Sequence, residues 1–188
     1  MQVKKLEKNI WVVSDFISKK ELNFLLADLA SFTSSDWNAF VGLDSDSFWV
    51  NRAADYQTFS SASQQIINAI SDRVFSCFEN YKEILQVGNV NRTLSDGRSM
   101  EYHVDNAEPP DYDNMFGLVL YVNDDYKGGK IHYKDLDIEY QPKAGDLVVH
   151  YAGYWHGVTE VTEGVRYIFT SFVRGTKDTL FLGEKLGI

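Results

Sequence analysis

Apolar positions follow two different patterns along this chain, helical spacing in the first half and short extended runs in the second. Residues 9 to 16, Asn-Ile-Trp-Val-Val-Ser-Asp-Phe, are rich in β-branched and aromatic side chains and predict a strand. Ser18 then stands as an N-cap with Glu21 at the reciprocal position of a capping box. Leu22, Leu25, Leu26 and Leu29 recur at helical spacing, so a first helix is expected to about Ala30. A loop-rich stretch from Ser31 to Trp49 carries Trp37, Phe40 and Trp49. A second helix is signalled after Ser60, with Ile66, Ile67, Ile70, Val74 and Phe78 on one face.

From Val87 the pattern becomes short β-branched and aromatic runs separated by turn signals. These lie at Asp96-Gly97, Asn123-Asp124-Asp125, Gly128-Gly129, Ala144-Gly145 and Glu163-Gly164. About six or seven strands fit there. The run Gly117 to Val122 lacks polar alternation, which predicts burial on both faces. Helices followed by antiparallel strands define an α+β, mainly β class: a double-sheet jelly roll braced by N-terminal helices. With prolines only at Pro109, Pro110 and Pro142, no linker divides the chain. One domain over 1–188 is expected, with helical support over about 1–86 and the jelly-roll core over about 87–176.

Composition narrows the function without choosing it. A hydrophobic content of 44% is that of an ordinary globular protein. With 27 acidic against 18 basic residues the net charge is −9, which argues against a broad grip on nucleic-acid phosphates. The lone cysteine, Cys77, forms no internal disulfide and reads as a small buried side chain in a reducing compartment. Neither a secretory signal nor a membrane span is visible, so a soluble, cytoplasmic protein is expected, as a monomer or weak homodimer.

The chemistry lies in His103-Val104-Asp105, answered by His156 and then by Arg166. On an extended strand, residues two apart share a face, so His103 and Asp105 can reach one ion. Two histidines and a carboxylate form the ligand set of a mononuclear non-haem Fe(II) centre that keeps positions open for O₂ and a cosubstrate. Of the other histidines, His132 reads as an ordinary strand imidazole, and His150, ending Leu147-Val148-Val149, as at most a pocket-lining side chain behind the ligands. Arg166 sits in the apolar run Val165 to Phe169, where an unpaired charge costs several kcal/mol. A bound carboxylate would meet its need for a partner. Two loops are candidate pocket walls or lids, Asn106 to Asn114 because it follows a ligand directly, and Trp37 to Trp49.

Taken together, these residues resemble the Fe(II)- and 2-oxoglutarate-dependent oxygenases, within them the prolyl 4-hydroxylase-like branch. The resemblance runs roughly from residue 88 to 175. It is carried by Asp96 through Asp105, Leu120-Tyr121-Val122-Asn123, Gly128-Gly129, Pro142 through Asp146, His156-Gly157-Val158 and Gly164 through Tyr167. It implies a double-stranded β-helix with iron on His103, Asp105 and His156. It further implies 2-oxoglutarate held by Arg166 with help from the Tyr121 hydroxyl.

The chain departs from the family at Arg92-Thr93-Leu94, where relatives often carry a tyrosine, and at Lys130, where many have glutamate. Collagen-type members commonly have lysine where Arg166 stands. The implied activity is hydroxylation of a C–H bond, foremost of a prolyl residue in a peptide or protein, or of a related small-molecule substrate. Fe(II), 2-oxoglutarate and O₂ are consumed or bound, ascorbate serves as a further reductant, and succinate and CO₂ are released. Nucleic-acid demethylases of this kind carry a second arginine six residues after the first, where this chain has Phe172, with Arg174 beyond it. The competing class is a catalytically silent jelly-roll or cupin-like module that binds metal or a partner, and cosubstrate-dependent succinate formation separates the two.

Overall fold

The structure is a computed structural model and describes residues 1–39, 52–95, 100–106 and 113–183. Its first helix, α1 (Lys19–Ser31), begins with the expected reciprocal cap. The Glu21 amide donates to Ser18 Oγ, and the Ser18 amide donates to the Glu21 carboxylate. The second helix, α2 (Ser61–Phe75), starts at Ser60, whose hydroxyl accepts from the Ser63 amide. Leu22, Leu25 and Leu29 of α1 and Ile67, Ile70 and Val74 of α2 are buried, as helical spacing predicts.

Glu21 does more than cap. Its carboxylate also takes Arg73 Nη2 of α2 at 2.6 Å, while Arg73 Nη1 donates to the Phe16 carbonyl and ties both helices to the chain entering α1. Burial alone would raise the Glu21 carboxyl, but the hydrogen bonds from Arg73 and Ser18 prevail and hold it below its ordinary value. A lowered folded pKa means stabilisation that is full at neutral pH and is lost as the pH falls through that value. Glu21→Ala is therefore expected to cost about 1–2 kcal/mol in urea unfolding at pH 7. The gap between parent and variant should shrink below the ordinary glutamate value of about 4.3.

The strands are β1 (Gln2–Glu7), β2 (Ile10–Ser14), β3 (Asn38–Ala39), β4 (Arg52–Ala54), β5 (Phe78–Ile84), β6 (Val90–Leu94), β7 (Met100–His103) and β8 (Asn114–Tyr121). They continue with β9 (Lys127–Gly128), β10 (Ile131–Tyr133), β11 (Ile138–Tyr140), β12 (Leu147–Tyr151), β13 (His156–Val158), β14 (Val161–Glu163) and β15 (Val165–Phe181). The major sheet runs β1-β2-β12-β8-β15-β6-β4-β3, with β5 on the far end of β15; the minor sheet runs β11-β10-β13-β7, and β14 pairs with β9. Every pairing is antiparallel, as in a jelly roll.

Strand alternation divides the core in two. Val13, Leu118, Leu120, Leu147, Val149 and Phe169 face the helices. Ile10, Val12, Tyr121, Val148 and Ile168 of the major sheet face Ile131 and Tyr133 of the minor one. Gly117 to Val122 is thus covered on both faces, as its unbroken apolarity predicts.

Three features differ from the sequence expectation. Phe78 opens β5 instead of closing the helix face, because α2 stops at Phe75 and the chain turns through Ser76 and Cys77. The strand β1 escapes the apolar pattern because it is an edge strand, with Lys4 and Lys5 exposed on it; charge on an edge discourages pairing with other chains. The strands after Val87 outnumber the expectation because several, such as β9 with its two residues, are too short to show a period.

Candidate metal and anion site

The inner face of the major sheet and the facing side of the minor sheet carry polar groups where packing alone would place apolar ones. His103 ends β7 and His156 begins β13, and the two residues are register partners across that pair. Asp105 follows two residues later, its amide donating to the Ala152 carbonyl and its carbonyl accepting from Asn114 Nδ2. Among the described residues, His103, Asp105 and His156 offer donor atoms all within 4.8 Å of one another. His103 Nε2 lies 3.5 Å from Asp105 Oδ1, and His156 Nε2 lies 3.7 Å from Asp105 Oδ2.

Main-chain carbonyls orient both rings. His103 Nδ1 meets the Glu101 carbonyl at 3.0 Å and His156 Nδ1 meets that of Tyr154 at 2.9 Å. Each pairing lets the ring donate from Nδ1 and turns Nε2 toward Asp105, the orientation a metal ligand requires. Burial, with the neighbouring His150, pushes the His156 imidazole down to about 3, so it is neutral at physiological pH. Burial acts the same way on His103, but the hydrogen bonds to Asp105 and to the Glu101 carbonyl outweigh it and raise that ring. Burial would raise Asp105, yet hydrogen bonds from His103 and His150 and the nearby imidazoles hold it well below the carboxylate range. A neutral imidazole beside an ionised carboxylate is the donor set that suits a divalent first-row metal.

The two remaining histidines separate cleanly. His132 alternates with Ile131 and Tyr133 onto the other side of β10, where it meets the Tyr102 hydroxyl. His150 points inward, is 1% exposed, and places Nε2 3.1 Å from Asp105 Oδ2. From sequence it has at most a pocket-lining place, whereas the structure sets it directly against the Asp105 carboxylate. The signal for it was the alternation Leu147-Val148-Val149-His150, which puts His150 on the inner side with Val148.

Arg166 also faces inward, 2% exposed. Its Nη1 reaches Thr93 Oγ1 only at 3.5 Å, its Nε has no partner, and its guanidinium lies 5.4 Å from the Tyr121 ring centroid. Among the described residues no carboxylate pairs with it. Asn123 fixes the strand around it, accepting from the Tyr167 amide at 2.8 Å and donating to the Val165 carbonyl at 2.7 Å. The buried hydroxyls of Tyr121, Tyr126 and Tyr133 have no hydrogen bond of ordinary geometry, and Arg166 lies near the first two. Burial pushes the Tyr121 and Tyr126 hydroxyls upward and the Arg166 charge beside them opposes it. Tyr126 and Tyr133 were not singled out in the sequence, where a tyrosine in an apolar surrounding reads as core.

Tyr133 joins the two clusters, since its ring lies 5.6 Å from that of His150 and 6.1 Å from that of His156 while it packs in the same inner core as Tyr121. The inner side of the jelly roll thus carries an imidazole and carboxylate donor set, a guanidinium with no carboxylate partner among the described residues, and three hydroxyls without an ordinary hydrogen bond. Unsatisfied buried polar groups cost about 1–3 kcal/mol each, so an anionic ligand that meets several at once has a ready site.

The proposed pocket walls lie mostly outside the described residues, which omit 40–51 and 107–112. Trp37 is buried, stacked on Tyr167 with centroids 5.9 Å apart and with the Arg92 guanidinium 4.3 Å from its ring, so it belongs to the core. Arg174 is engaged by Glu83 and Asp113.

Residues 88–174 match the family model described as the 2OG-Fe(II) oxygenase superfamily. Over this segment, a little under half of the chain, the sequence is similar to a superfamily whose members use Fe(II), 2-oxoglutarate and O₂. No curated protein matches the chain by sequence. Solved structures agree in fold. The viral collagen prolyl hydroxylase from Paramecium Bursaria Chlorella virus-1, in its 2OG complex, superposes with a TM-score of 0.63 at 16% identity, over 90% of this chain and 97% of that one. A prolyl hydroxylase from Trichoplax adhaerens, in complex with a hypoxia inducible factor oxygen degradation domain peptide, gives 0.69 at 13%, over 88% and 83%. A Pseudomonas putida prolyl-4-hydroxylase gives 0.61 at 18%, over 89% and 93%. Among the described residues, no helix is long and apolar enough to cross a membrane.

Proposed function

We propose that this protein is an Fe(II)- and 2-oxoglutarate-dependent dioxygenase that hydroxylates a C–H bond, foremost of a prolyl residue in a peptide or protein. The observation that carries the reading is Arg166, a buried cation with no anionic partner among the described residues, on the same inner wall as the His103, Asp105 and His156 donor set. His103, Asp105 and His156 would hold the Fe(II), and a three-residue ligand set of this type leaves positions for cosubstrate and O₂. Arg166 takes the far carboxylate of 2-oxoglutarate, and the Tyr121 hydroxyl, fully buried and without an ordinary hydrogen bond, donates to the same group.

Bound Fe(II) and 2-oxoglutarate supply the activation of O₂ and the oxidising equivalent that places oxygen on carbon, leaving succinate and CO₂. The protein's own share is orientation and exclusion of water. Tyr133, Val148, Ile168 and Tyr121 close the inner wall without exposed surface to speak of. A prolyl substrate is supported by the folds it resembles, whose named members act on collagen and bind a hypoxia inducible factor peptide. A monomer or weak homodimer needs no more than this site.

The test is anaerobic titration of apoprotein with Fe(II) and 2-oxoglutarate, followed in the visible for the charge-transfer band of a chelated 2-oxo acid. The band should appear, and should vanish with succinate formation when O₂ is admitted. Proline-containing peptides should then gain the mass of one oxygen atom. Metal binding without band or succinate would replace the oxygenase reading by that of a metal-binding jelly-roll module.

A further inference from the structure

Asp105 is gripped by an imidazole outside the donor set. The strands β8 and β12 pair so that His150 stands directly opposite Gly117. His150 Nε2 lies 3.1 Å from Asp105 Oδ2, and a Cβ on Gly117 would fall against that same oxygen and within 2.5 Å of His150 Nε2. The absence of a side chain at Gly117 is what allows the ring and the carboxylate to meet.

His150 is a poor choice for packing alone. Its ring touches Tyr133 edge-on at 5.6 Å and His156 at 4.4 Å, and its Nδ1 is buried without a hydrogen-bond partner. With a carboxylate at Nε2 the proton belongs there, which leaves Nδ1 as an unmet acceptor. An aromatic hydrocarbon would fill the slot with no such penalty. What only an N–H bearing side chain adds is a donor to Asp105 Oδ2.

We propose that His150 is a positioning residue, which holds Asp105 Oδ2 so that the carboxylate keeps one orientation for the metal it would bind, with Gly117 as the gap that makes the grip possible. This rests on the metal assignment to His103, Asp105 and His156. Held in this way, the carboxylate keeps one orientation beside His103 Nε2 and His156 Nε2, the side chains that would share the metal with it.

Co(II), a spectroscopically visible divalent probe, tests the idea on the full chain. His150→Phe should weaken Co(II) binding about 10- to 100-fold, the range seen when a ligand's supporting partner is lost. Its d–d spectrum should shift as the carboxylate loses its fixed orientation. His150→Gln keeps an N–H donor of similar reach and should bind within about threefold of the parent, well short of that loss. Gly117→Ala, which drives a methyl between the ring and the carboxylate, should fall with His150→Phe. Thermal melting of the metal-free proteins should show that His150→Phe and Gly117→Ala still fold cooperatively, so that a loss of Co(II) affinity is read on folded protein. Equal Co(II) affinity in parent and His150→Phe would overturn the proposal, as would a loss in His150→Gln as large as in His150→Phe, which would mark a packing role. Parent protein that binds no Co(II), or His156→Ala that binds as well as the parent, would instead remove the metal assignment itself.

Discussion

His156→Ala is expected to empty the metal site while leaving the jelly roll intact. The residue lies in the ladder opposite His103, so the main-chain hydrogen bonds of β13 with β7 and β10 survive the truncation. What is lost is the one imidazole of the three donors that is both buried and neutral. It is held so by burial and oriented by the Tyr154 carbonyl. The remaining pair, His103 and Asp105, presents only two donors. The affinity loss for Fe(II) or Co(II) should exceed the roughly 100-fold that follows loss of a mere supporting partner. Succinate formation should drop to the background of free iron. Isothermal titration with Co(II) and a coupled succinate assay check both. His132→Ala, on the outer side of β10, is the matched control and should retain metal. Retention of metal by His156→Ala, or its loss in His132→Ala, would show that the donor set has been drawn from the wrong histidines.

The difference in legibility between those two histidines is instructive. The closeness of His103 and Asp105 was readable because their spacing is local, whereas His156 reaches them through the pairing of β13 with β7. Arg166 was readable as a charge in a run too apolar to tolerate one. The reciprocal cap of Ser18 and Glu21 was readable for the same reason, since three residues of sequence define it. His150 was not, because its meaning depends on which residue of another strand faces it. The pairing of β12 with β8 that puts Gly117 opposite is a long-range fact of register. The hydroxyls of Tyr126 and Tyr133 were hidden differently. A buried tyrosine ring satisfies the apolar pattern, and only its surroundings reveal that the oxygen has no ordinary hydrogen bond. Edge strands failed for a third reason, since β1 and the exposed middle of β5 have no continuous apolar face to announce them.

The inner wall therefore concentrates local penalties that a purely structural core would avoid, and such penalties mark functional sites. The same reasoning predicts a trade between stability and binding at Arg166. Arg166→Leu is expected to abolish the thermal stabilisation that 2-oxoglutarate confers on the metal-loaded protein, while Co(II) still binds at the histidines and Asp105. Truncating one partner of a buried, hydrogen-bonded charge pair costs about 2–5 kcal/mol. Cosubstrate affinity should thus fall roughly thirty-fold to several-thousand-fold. In the metal-free and cosubstrate-free protein the sign reverses. The guanidinium there is buried against Thr93 and the Tyr121 ring with its Nε unpaired, so an apolar side chain of similar reach removes an uncompensated charge. Urea unfolding of the apo form should show Arg166→Leu at least as stable as the parent. A variant that lost apo stability yet kept its 2-oxoglutarate shift would mean that Arg166 serves the fold and that the anion binds elsewhere.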